Sequence, residues 1–433
     1  MSSSFLPRRR FVAGGAASLA TLAATLPSPA HATSPASARG RRAGSLVLVG
    51  GALKSDNTRV YGEIVARAGG PRARIGVLTA ASVPASQDPY RDDPERCGNS
   101  ECNGAYYVDL LKRHGAGHAA WIPVDLDHVA AADDPEVARE VASMTGFFLG
   151  GGDQFRYVTT LLHGSDHTDT EVMTALRRRF EEGAVVAGTS AGAQIASGPH
   201  MVTGGESYEG LRDGSAPGWF ADATVLGQWP AGGFGFLAGG LVDTHTGAYG
   251  REGRALRLAS DVGRNRVFCL EENTALVVEQ AGTDRERMRV VGEHGVAVLD
   301  LRRARAATGD RGWSLDGARY SHLTDQDRYL PAGWHVAPGP GARRLRPSGT
   351  EAVPENGDVF SSLRNPDPVP YSFLRTARAL AATRAQNRAV ATTWEEDPRF
   401  TVTLSKGPDF AAWTRDGTTA DTLVNLGVAV TPA

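Results

Sequence analysis

Residues 183–197 read GAVVAGTSAGAQIAS, and the reading of this stretch decides the fold. Ala184 to Ala187 is a short apolar run of the kind that forms a buried strand. It stops at Gly188-Thr189-Ser190-Ala191-Gly192, and the residues that follow are small and apolar enough to begin a helix. A strand, a sharp turn and a helix with serine at the turn make the G-x-S-x-G nucleophile elbow. A turn that strains one residue needs neighbours without Cβ atoms, hence the glycines. The serine then stands at a helix N-terminus, where unpaired N–H groups favour negative charge on a reacting oxygen. An ordinary Gly-Ser turn has the same residues without the strand before and the helix after.

Working outward, residues 45–51 and 73–80 are apolar runs that read as buried strands. Helical spacing occupies 57–68, and a helix is expected near 105–114. A strand at 119–124 and a helix at 135–144 lead to the strand 146–149. That strand breaks into Gly150-Gly151-Gly152-Asp153-Gln154, and a helix over 170–182 delivers the chain to the elbow. Continuous apolar strands alternating with helices predict a three-layer α/β fold with a parallel sheet covered on both faces. Ligands bind such sheets beyond the C-terminal strand ends, so the two glycine breaks are expected to share one crevice. Past the elbow come a glycine-rich segment (203–240), the strand end Leu241-Val242-Asp243-Thr244-His245, a helix over 251–262 and strands at 266–270 and 274–279. A short β stretch over 285–301 closes this region. Beyond residue 330 the composition shifts to Pro, Gly and Arg, with one helix (371–385) and two strands (400–404, 423–430) and no chemical motif. The expected organisation is a catalytic domain over 45–330 and a C-terminal extension over 331–433.

At 433 residues, 41% apolar and 22% charged, the chain has globular proportions, and a formal charge of -2 argues against a nucleic-acid binder. Arg8-Arg9-Arg10 precedes an apolar stretch of about 16 residues and an Ala30-His31-Ala32 cleavage pattern. That reads as a twin-arginine signal peptide over 1–32, followed by a linker over 33–44; the apolar stretch falls short of the ~20 residues of a membrane span. The mature protein is expected to be secreted or held in the cell envelope. Cys97 and Cys102 suit a small disulfide in an oxidising compartment; zinc is the alternative, but no second pair of Cys or His stands near. Cys269, in an apolar run, reads as a buried small hydrophobe.

Serine needs a base to take its proton and a third group to orient that base. His245 ends an apolar strand and is the candidate base. Glu206 and Glu209 are the candidate acids, with a solvated loop carboxylate as the bland alternative. The N–H of Ala191, with one from Gly151 or Gly152, would hold the oxyanion. A phosphate loop is the rival reading of the glycines, but no Lys-Ser/Thr follows them. No metal site and no cofactor is called for.

Several segments together resemble the cyanophycinases, a serine-peptidase family that also includes an aspartyl dipeptidase branch. They are Val49-Gly50-Gly51, GGDQ at 151–154, GTSAGA at 188–193, GGES at 204–207, GFGFL at 233–237, Asp243-x-His245 and Glu272-Asn273-Thr274-Ala275, spread over residues 45–325. The resemblance implies a class I glutamine amidotransferase-like, flavodoxin-like fold and a triad of Ser190, His245 and a glutamate. The glutamate falls on Glu209 if one residue is inserted between 197 and 201, with Glu206 in reserve. It implies a peptide or polymer substrate, cyanophycin, cut to β-Asp-Arg and recognised by Gln154, Asp243, Thr244, Arg251 and Arg254. Thr244 stands where a glutamine is usual and Tyr249 where a further arginine is usual, which weakens or re-aims recognition of carboxylates. Two rival functions follow: a peptidase for other acidic or β-linked peptides, and a non-catalytic exported binding protein. A homodimer is compatible with all three.

Overall fold

Strand β1 (Ser45–Val49) divides its buried side chains between two cores, Leu46 and Leu48 on one face and Val47 and Val49 on the other. That alternation makes it the middle of a covered sheet. The computed structural model describes residues 44–433, which fall in one compact unit. The expected signal peptide and all but the last residue of the expected linker lie outside the described residues. Among the described residues no helix is long and apolar enough to cross a membrane.

Four further strands run parallel to β1: β2 (Arg74–Leu78), β3 (His118–Trp121), β4 (Gly146–Leu149) and β5 (Val185–Thr189), in the order β3-β2-β4-β5-β1. Helices α1 (Thr58–Ala68) and α2 (Ser100–Arg113) cover one face. Helices α3 (Pro135–Ala142), α4 (Gln154–Leu161) and α5 (Glu171–Glu181) cover the other. Their ends follow local chemistry. Asn57, Asp134 and Thr170 accept first-turn N–H bonds, and Gly69 closes α1 at φ 117°. Helix α2 starts five residues before the expected position because Asn99 caps it, accepting from the Glu101 and Cys102 N–H groups. Cys102 therefore lies in a helix and not in a loop, disulfide-bonded to Cys97 with Cα atoms 6.1 Å apart.

The expected parallel sheet is a mixed one. Beyond β1 lie β8 (Thr274–Glu279), β9 (Arg287–Gly292) and two short strands, Arg328–Leu330 and His335–Ala337, all antiparallel to their neighbours. The strands between β5 and β8 leave this sheet altogether. β6 (Leu241–Thr244) and β7 (Arg266–Leu270) pair in parallel at the edge of a second sheet. That sheet continues through β10 (Val296–Asp300), β11 (Gly312–Leu323), β14 (Thr422–Pro432), β13 (Phe400–Ser405) and β12 (Arg388–Thr392). Strand β14 sits between β11 and β13, so residues on either side of position 330 share one sheet. The boundary expected at 330/331 is therefore not a structural one: composition changes there, but the hydrogen-bond ladder crosses it. Helices α8 (Glu252–Asp261) and α9 (Ser372–Ala382) bury Leu256, Ala259, Phe373 and Leu380 in the core of this second sheet.

Candidate active site

The elbow places Ser190 between β5 and a short helix α6 (Ala191–Gln194), at φ 54° and ψ -119°. For a residue with a Cβ this is strained backbone, held by its surroundings. A Cβ at Gly188 would lie 2.0 Å from the Gly192 carbonyl oxygen, and one at Gly192 would lie 2.1 Å from that of Leu149. Both glycines of the motif are thus demanded by close backbone packing. The Ser190 N–H donates to the Val49 carbonyl at 3.0 Å, which ties the turn to the end of β1.

His245 follows β6 in the second sheet, at φ 55°. Its N–H donates to the Gly50 carbonyl at 2.8 Å, so the end of one sheet is tied to the end of the other. Nε2 of His245 lies 2.8 Å from Ser190 Oγ, and Nδ1 lies 2.7 Å from Glu272 Oε1. With Nδ1–H donating to the carboxylate, Nε2 is left to accept the serine hydroxyl. The two side chains of the His245–Glu272 pair are only 14% and 25% exposed. The hydrogen bond from His245 holds the Glu272 carboxyl below the usual carboxylate range, although its partial burial acts the other way.

Glu272 lies in the short connection by which the chain passes from β7 in the second sheet to β8 in the first. Asn273 pins that connection. Its N–H donates to the Gly51 carbonyl at 2.8 Å, and its side chain accepts from Asn57 and donates to Glu293.

Glu209 and Glu206, the acids expected from the sequence, are not beside His245. The glycine-rich segment contains α7 (Ser207–Asp213), whose Ser207 N–H and Tyr208 hydroxyl donate to Ser361 and to the Asp397 carbonyl among the C-terminal residues. Glu209 is 4% exposed and accepts from the Leu363 N–H at 3.1 Å, and burial pushes its carboxyl up. Glu206 occupies the N-cap position of α7 without a capping bond. Both expected acids lie between serine and histidine along the chain, whereas the order here is Ser, His, Glu. The signal for Glu272 was the Glu272-Asn273-Thr274-Ala275 segment, which counted toward the resemblance without a role for its glutamate.

Gly151 lies against the serine, a Cβ there falling 3.3 Å from Ser190 Cβ and 3.9 Å from Oγ. Gly152, at φ 138°, approaches the Ala81 carbonyl so closely that a Cβ would lie 2.1 Å from it. Ala191 is the first residue of α6, and first-turn N–H groups have no partner inside a helix.

The expected recognition residues are mostly engaged by the chain itself. Gln154 is 7% exposed, and its amide donates to the Val202 carbonyl at 2.7 Å. Asp243 and Arg254 form a bidentate pair with side chains only 4% exposed, and Arg254 also donates to the Gly205 carbonyl at 2.7 Å. Thr244 is 1% exposed. Arg251 alone is half-buried: one nitrogen donates to the Thr244 carbonyl at 3.0 Å, while Nε has no partner. The resemblance marked these side chains as substrate contacts, and a motif does not report burial.

Fold and site together define an α/β protein in which a hydroxyl, an imidazole and a carboxylate join in one hydrogen-bonded series where two sheets meet. Residues 117–285, which hold all three groups, match peptidase family S51. Cyanophycinase of Synechococcus elongatus is 28% identical over 261 residues, 60% of this chain and 69% of the relative. Cyanophycinase of Geminocystis herdmanii is also 28% identical, over 59% of this chain and 80% of the relative. By these matches the chain is similar to peptidase family S51 over residues 117–285 and to the cyanophycinases over 59–60% of its length. Among solved structures, a peptidase from an acI-B1 actinobacterium is 22% identical with a TM-score of 0.42, covering 60% of this chain and 91% of that one.

Proposed function

We propose that this protein is an exported serine-type peptidase that cleaves an aspartate-rich peptide of the cyanophycin kind. The observation that carries this reading is the series Ser190 Oγ, His245 Nε2, His245 Nδ1, Glu272 Oε1, with links of 2.8 and 2.7 Å. His245 takes the hydroxyl proton on Nε2 as Ser190 Oγ attacks a substrate carbonyl, and Glu272 steadies the imidazolium that forms. The N–H groups of Ala191 and of Gly151 or Gly152 receive the oxyanion. His245 then returns the proton to the leaving amine, and water hydrolyses the acyl-enzyme by the same relay. The family match and the relatives named cyanophycinase support the substrate class, and the twin-arginine pattern supports export. The elbow and the helices on both sides of the parallel strands support a class I glutamine amidotransferase-like N-terminal portion.

The test is incubation of the mature protein, and of Ser190→Ala, with cyanophycin. Release of β-Asp-Arg by the first and none by the second is expected. Undiminished release by the variant removes Ser190 from the mechanism. One observation favours a second reading, a peptidase for other β-linked or acidic peptides. Of the five expected recognition side chains, Gln154, Asp243, Thr244 and Arg254 are buried, and three of these spend hydrogen bonds on the chain itself. Turnover of other isoaspartyl peptides with cyanophycin left intact would select it.

A further inference from the structure

Tyr249 has no part in the relay, yet it covers the imidazole. The rings of Tyr249 and His245 stack with centroids 4.8 Å apart and 8° between their planes. The Tyr249 N–H donates to the His245 carbonyl at 2.9 Å, so both residues belong to one turn. The Gly51 backbone bounds the ring on a second side. At φ 112° it comes so near that a Cβ would lie 2.1 Å from His245 Cε1 and 2.2 Å from Nε2. The guanidinium of Arg251 packs over the Tyr249 ring as well, 4.7 Å from its centroid. Tyr249 is nonetheless 45% exposed, so the core does not require an aromatic ring there.

We propose that Tyr249 is a positioning residue that holds the His245 ring between its own face and the Gly51 backbone, keeping Nε2 aligned with Ser190 Oγ. The inference rests on the serine-peptidase reading. When the serine proton moves from Oγ to Nε2, the imidazole becomes a cation lying on an aromatic face, and that face attracts it. The stacked ring thus favours both the orientation before transfer and the charge after it.

A fluorophosphonate probe tests the idea without a peptide substrate. Ser190 Oγ bonds to phosphorus, fluoride leaves, and the serine proton passes to His245. Tyr249→Ala is expected to be labelled roughly three- to tenfold more slowly than wild type, and Tyr249→Phe at close to the wild-type rate. With a turned-over peptide, Tyr249→Ala is expected to lower kcat while KM holds. Equal labelling of wild type and Tyr249→Ala overturns the proposal, as does Tyr249→Phe being as slow as Tyr249→Ala. A raised KM with unchanged kcat overturns it too, by making the ring a substrate contact. Should Tyr249→Ala fail to fold, Tyr249→Leu keeps an apolar side chain there without the aromatic face and is judged by the same outcomes. Wild type that takes no label at all removes the peptidase reading itself, a result distinct from any difference between the variants.

Discussion

Glu272 and Glu209 have opposite surroundings, and that difference makes them separable by mutation. Glu272 faces an imidazole at 2.7 Å, whereas Glu209 accepts a backbone N–H from residue 363. Under the peptidase reading, Glu272→Gln removes the negative charge that orients His245 and steadies its protonated form. Loss of an orienting acid costs roughly 10²- to 10⁴-fold in kcat. Glu209→Gln is expected to keep wild-type turnover, and steady-state kinetics on the two variants checks the pair. Ser190 and His245 were legible in the sequence because each follows an apolar strand and stands among small residues. Glu272 also follows a strand, but its partner lies 27 positions back in the chain. Only the crossing from one sheet to the other makes them neighbours.

The elements β6, β7 and α8 carry a second set of charges behind the site, and their burial has measurable consequences. Arg254 on α8 and Asp243 at the end of β6 neutralise each other in the interior. Arg254→Ala leaves a buried carboxylate without its cation, and thermal or denaturant unfolding is expected to show a loss of about 3–5 kcal/mol. Glu271, which follows β7 and precedes Glu272, is 1% exposed, and burial pushes its carboxyl up to about 8. Its folded state holds a proton that the unfolded chain releases above the ordinary glutamate range. Stability from this group is therefore present at low pH and lost as pH rises from about 5 to 8. Glu271→Gln is expected to flatten the fall of Tm between pH 5.5 and 8; an unchanged slope would contradict that assignment. The disulfide belongs to this scale as well. It closes a loop with a sequence separation of 5, and Cys97→Ser with Cys102→Ser is expected to destabilise by about 2 kcal/mol on loop-entropy grounds.

Across the whole molecule, the C-terminal residues complete the second sheet, whose other edge ends in His245. Removing residues 331–433 would strip β14 from β11, expose a 12-residue strand edge and delete α9 from the core. Expression of the truncated chain is expected to yield insoluble protein, and a soluble, cooperatively unfolding fragment would show the two parts to be independent. The α/β class, the strand–serine–helix turn, most helices of the N-terminal half and the Cys97–Cys102 bridge were determined by the sequence alone. They rest on apolar runs, caps and glycines acting over a few neighbouring residues. The tertiary structure decided the partition of strands between two sheets, the burial of four of the five expected recognition side chains and the choice of Glu272 beside His245. Those outcomes depend on which distant segments pair, and hydrogen bonding between β-strands is indifferent to their separation along the chain.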